Sequence, residues 1–81
     1  MRKFEFTLDS GKKYCVKPPT LRQYNTLLAA KHDGEIIAAV AAITGEHADY
    51  IINNWSVDDA RRFVREFPEW VRDERDSDPN S

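Results

Sequence analysis

The chain opens on strict alternation. Phe4, Phe6 and Leu8 fall on one face, Lys3, Glu5 and Thr7 on the other, and a period of two predicts a half-buried strand. After Asp9-Ser10-Gly11 the alternation resumes with Tyr14 and Val16 against Lys13, Cys15 and Lys17. A two-residue loop at Ser10-Gly11 would set lysines opposite phenylalanines. A three-residue loop, Asp9-Ser10-Gly11, pairs Phe6 with Tyr14 and Phe4 with Val16, and gathers the large apolar side chains on one face. It also puts Gly11 at the left-handed position that closes such a loop. A hairpin over residues 3–17 follows, ended by Pro18-Pro19, neither of which can donate to a ladder.

Beyond the prolines the period lengthens. Thr20-Leu21-Arg22-Gln23 reads as a capping box, and Leu21, Tyr24, Leu27 and Leu28 share a helical face. Gly34 is the expected stop, giving a helix over about 20–33. Residues 35–44 are apolar nearly all round and predict the most buried helix, ended by Gly45. A short helix over about 46–54 carries Ile51 and Ile52. Ser56 is then a second N-cap, with Asp58 and Asp59 in the first turn beside the positive helix end. Val57, Ala60, Val64, Phe67 and Val71 form a stripe over about 57–72, widened by Phe63 and Trp70. Asp58 with Arg62 and Arg65 with Glu69 have the spacing of helix-surface ion pairs. Pro68 either kinks this helix or ends it near Glu66 and restarts it. The expectation is an α+β fold: a two-stranded antiparallel hairpin and three to four helices in one domain over 1–72. A charged, disordered tail over 73–81 follows.

At 81 residues one domain is expected, burying only about 60–65% of its unfolded surface. Its core is therefore marginal, and a partner would help it. The formal charge of −2 lacks the basic excess that phosphate neutralisation needs. Arg61, Arg62 and Arg65 are interleaved with Asp58, Asp59 and Glu66 and read as a solvated face. No nucleic-acid partner is expected. Cys15 is the single cysteine, so no intramolecular disulfide forms and a reducing cytoplasm suits the chain. No leader-like run opens it, and the weakly polar stretch from Ile36 to Ile43 is too short to span a bilayer.

Catalytic chemistry finds no foothold. His32, Asp33 and Glu35, and His47 with Asp49, lack the spacing of a zinc site. Cys15 has Lys13 and Lys17 beside it but no histidine close in sequence. Asp58 and Asp59 point about 100° apart on a helix and cannot share a substrate. No glycine-rich phosphate loop or nucleophile elbow occurs. The chain is expected to be no enzyme, to need no cofactor or metal, and to act by binding protein. The aromatics are the candidates for that contact. Trp55, Phe63, Phe67 and Trp70 crowd into sixteen residues, more ring area than a small core readily covers, so Trp70 with Val71, and Tyr24, are expected anchors for a partner. For Phe63 and Phe67 the competing reading is core. The open hairpin edges also make a homo-oligomer possible.

The order of these pieces resembles the small tail assembly chaperones of long-tailed phages. The matching stretches are Phe4-Glu5-Phe6-Thr7-Leu8 and Lys13-Tyr14-Cys15-Val16-Lys17, then Pro18-Pro19-Thr20-Leu21-Arg22-Gln23-Tyr24 and Ile43-Thr44-Gly45. They continue with Trp55-Ser56-Val57-Asp58-Asp59, Phe63-Val64 and Phe67-Pro68-Glu69-Trp70-Val71. Each is also ordinary turn and capping chemistry; their order and spacing over the chain to about Arg72 carry the likeness. The resemblance implies a chaperone in the host bacterial cytoplasm. It would bind the long helical tape measure protein, keep it soluble and help recruit tail tube subunits. It transfers no catalytic residues, and the acidic tail would be compatible with a longer frameshifted form. The rival expectations are a permanent particle component such as a head–tail joining protein, a generic protein-interaction module, and a small DNA-binding regulator with a basic face at Arg61, Arg62 and Arg65.

Overall fold

The computed structural model describes residues 2–76. Strands β1 (Phe4–Thr7) and β2 (Lys13–Val16) form an antiparallel hairpin, followed by helices α1 (Leu21–Ala29), α2 (Asp33–Thr44), α3 (Ala48–Asn54) and α4 (Val57–Asp76). The fold is α+β. The register pairs Phe4 with Val16 and Phe6 with Tyr14, as the apolar pattern demands. The Leu8 amide donates to the Lys12 carbonyl at 2.8 Å and the Gly11 amide to the Leu8 carbonyl at 2.9 Å. These bonds close the loop at Asp9-Ser10-Gly11. Gly11 sits at φ +99, a conformation that a Cβ makes costly.

The hairpin lays its apolar face on α4. Phe4, Phe6, Leu8 and Val16 are buried with Phe63 and Phe67, which are 0% exposed. Phe63 and Phe67 stack at 5.1 Å, and Phe4 meets both edge-on at 5.8 and 5.3 Å. Trp70 stacks on Phe67 at 5.8 Å, while Trp55 closes the other end against Phe6 at 5.5 Å. The rings cover one another. Aromatic pairs in offset and edge-to-face contact suit their quadrupoles as well as their area. That is how so small a domain houses so many of them.

Several expectations are corrected. The core belongs to the hairpin and α4, with α2 contributing only Ala39 and Val40 as buried side chains; Ala38 and Ala42 face outward. Helix α2 is nonetheless central: it touches α1, α3, α4 and β2, and Ile36, Ile37, Ala41 and Ile43 are half-buried against the core. Helix α1 ends at Ala29, earlier than expected, and Gly34 falls inside the first turn of α2. Its φ is not positive, so it is no C-cap. Asp33 and Glu35 in that turn supply the favourable charge for a helix start. Pro68 lies buried inside a helix that continues to Asp76, so no restart occurs. Its missing donor costs one bond, offset by packing against the core. Residues 73–76, expected in the disordered tail, prolong α4, consistent with easy propagation once a helix exists. Residues 77–81 of that tail lie outside the described residues.

A candidate partner-binding groove

Two polar networks fix the surroundings of the site. At the start of α4 the Asp59 amide donates to the Ser56 hydroxyl oxygen, and the Ser56 amide to Asp59 Oδ2, both at 2.9 Å. This is a capping box with aspartate in the returning position. Asp59 also accepts from the Asp9 amide at 2.9 Å and from Arg62 Nη2 at 2.6 Å. Arg62 reaches on to the Thr7 carbonyl at 3.1 Å, so the turn of the hairpin is tied to the first turn of α4. Burial pushes the Asp59 carboxyl up. The Ser56 and Asp9 amides, the Ser56 hydroxyl and Arg62 outweigh it and hold the group below its ordinary value of 3.8. The expected pairing of Arg62 with Asp58 does not form, and Arg65 pairs with Glu66 at 3.4 Å instead of Glu69.

The second network holds Trp55. Its indole N–H donates to the Tyr14 hydroxyl at 3.3 Å, which donates to Glu46 Oε2 at 3.0 Å. Lys12 Nζ stands 3.2 Å from the same carboxylate and 4.0 Å from the Tyr50 ring centre. Tyr50 raises the Lys12 ammonium above its usual range; burial opposes it, and Glu46 adds a further upward push. Burial raises the Tyr14 hydroxyl, and the Tyr14 hydrogen bond draws Glu46 down. Gly45, left-handed at φ 78, turns the chain from α2 toward α3 and delivers Glu46 to this place.

Beside Trp55, α2, α3 and α4 leave an open groove of about 540 Å³. Ile36 and Ile37 come from α2, Ile51 and Ile52 from α3, and Val57, Ala60 and Val64 from α4, with Trp55 and Ser56 at the joint. The charged lining side chains are Asp33 on α2 and Arg61 and Arg65 on α4. Ile52 is 59% and Val57 68% exposed, which for residues of this kind is a standing cost in water. The Ser56 hydroxyl is already engaged with Asp9 and Asp59, so the floor is hydrocarbon. A small polar ligand needs convergent polar groups to orient it. The groove has its charged groups at the sides and hydrocarbon along the floor, which suits the apolar face of a helix.

The predicted anchors fare unequally. Trp55 lines the groove. Phe63 and Phe67 are wholly buried and present nothing to a partner. Trp70 and Val71 are half-buried against the aromatic core and lie outside the groove, as does Tyr24. Helix α1 has a separate exposed strip, with Leu21 at 75% and Leu28 at 53%, although both were expected on its packed face. Sequence reasoning passed over Ile52 and Val57. The signal was the doublet Ile51-Ile52: adjacent residues point about 100° apart on a helix, so a short helix packed on one side buries one and exposes the other.

Cys15 is exposed and unpaired. Among the described residues no three histidine, cysteine or acidic side chains gather as a metal ion would need. Within the same residues no helix is long and apolar enough to cross a membrane. Compared with protein-family models, with curated proteins and with solved structures, the chain gives no match in any of the three.

Proposed function

We propose that this protein is a non-enzymatic assembly chaperone of a long-tailed phage. It binds the tape measure protein in the host cytoplasm while the tail is built, and helps bring tail tube subunits to it. The supporting observation is the open apolar groove between α2, α3 and α4, joined to the resemblance in motif order along the chain. A long helical protein with apolar faces aggregates until it is covered, and a groove that receives one face at a time covers it reversibly. Three or four anchors at about 1.5–3 kcal/mol each are set against an association cost of about 4–15 kcal/mol. The expected affinity is weak, which suits a chaperone that must let go.

The test is co-expression of this chain with the tape measure protein of the same phage or prophage. The soluble fraction of the tape measure protein rises with the wild-type chain and does not rise with Ile52→Glu. Equal solubility with and without the wild-type chain contradicts the proposal.

A further inference from the structure

The two rims of the groove are unlike. On α4, Val57, Arg61 and Arg65 follow at intervals of four residues, so they stand in one row with about 6 Å between successive members. Ala60 and Val64 form the next row inward and are half-buried where the rim row is exposed. Arg62, on the other side of the helix, is consumed by Asp59, Asp9 and Thr7. Arg61 is not: among the described residues it makes no hydrogen bond or ion pair. Arg65 has only its chain neighbour Glu66, at 3.4 Å and largely in solvent, a contact readily exchanged. The facing rim carries Asp33. A hydrocarbon floor thus runs between one rim with two available guanidinium groups and another with a carboxylate.

We infer that the groove selects an amphipathic helix that carries carboxylates along one flank of its apolar stripe, with Arg61 and Arg65 as the residues that read them. The inference rests on the groove-binding reading above and names the chemistry of its partner. Apolar side chains at i, i+3 or i+4, and i+7 of the partner enter the floor. Acidic residues four apart on its α4-facing flank repeat the spacing of the two arginines and can be taken in bidentate fashion. Asp33 disfavours acid on the other flank, so one-sided charge is what distinguishes the partner. A second copy of this chain is a poor occupant: its exposed helical strip, Leu21 to Leu28 on α1, contains no acidic residue and carries Arg22. A nucleic-acid strand would call for more than two free cations.

The test uses three dye-labelled helical peptides with one shared apolar stripe and either Glu, Gln or Lys along one flank. Binding is read by fluorescence anisotropy at low salt. The wild type is expected to prefer the Glu peptide over the Lys peptide by about tenfold or more, with Gln between, and the gap narrows as salt rises. The double variant Arg61→Glu/Arg65→Glu inverts that order, and Ile52→Glu loses all three peptides while keeping its circular dichroism spectrum. Equal binding of the three peptides, lost in Ile52→Glu, overturns the charge selection and leaves the groove standing. No binding by any peptide overturns the groove reading as well. A wild-type dimer that Ile52→Glu converts to monomer would make the groove an interface between copies, and also overturns the inference.

Discussion

Asp59 is a buried carboxylate with three donors arranged around it, one of them fifty positions away in sequence. Its folded state binds a proton less readily than its unfolded state. The stability it contributes is therefore complete above the ordinary value of 3.8 and is lost as pH falls through and below that value. Urea midpoints are expected to stay level from neutral pH to about pH 5 and to drop below about pH 4. Asp59→Asn should flatten that drop, leaving the part due to Glu46, which is lowered too. Asp59→Ala strands Arg62 and two amides and should cost about 2–4 kcal/mol at neutral pH. Phe67→Ala should cost about 3–5 kcal/mol, enough to unfold much of so small a domain. The Ser56 cap and the place of Asp59 in it were legible, because capping is local. The Asp9 amide and the reach of Arg62 to Thr7 were not, since nothing in the α4 stretch announces which turn will lie across it.

Among the elements, the hairpin was read to the residue, because a slip by one position turns every side chain to the wrong face. The Thr20 cap holds as expected, with the Gln23 amide on the Thr20 hydroxyl at 3.2 Å and the Gln23 side chain on the Thr20 amide at 3.0 Å. The glycines separate what sequence alone confuses. Gly34 and Gly45 both looked like helix stops, yet only Gly45 is left-handed. Neither would meet a neighbour on gaining a Cβ, so backbone conformation decides. Gly45→Ala should destabilise by about 1–2 kcal/mol, and Gly34→Ala should stabilise by about 0.4–1 kcal/mol. Paired chemical denaturation curves check both signs. Helix α2 is central, touching α1, α3, α4 and β2, but its alanines and half-covered isoleucines bury less than the stacked rings of α4.

At the scale of the molecule, the aromatic excess that pointed to an exposed anchor is resolved by ring-on-ring packing. The large exposed apolar side chains lie elsewhere, Ile52 and Val57 in the groove beside Trp55 and Leu21 and Leu28 on α1. No single stretch of sequence contains that groove, so it could not be read before the helices were assembled. Trp70→Ala is accordingly expected to lower stability by about 3 kcal/mol through lost stacking. Ile52→Glu and Val57→Glu, at exposed positions, should leave the unfolding midpoint nearly unchanged and remove partner binding. Changing the α1 strip, as in Leu21→Glu, should leave groove binding intact. The most direct measurement is an affinity capture of the tagged protein from cells producing the phage, with wild type and Ile52→Glu side by side and bound proteins identified by mass spectrometry. The account predicts a very long, helix-rich protein held by the wild type and lost from Ile52→Glu. Capsid or connector proteins in its place, or the same long protein held equally by both, would contradict it.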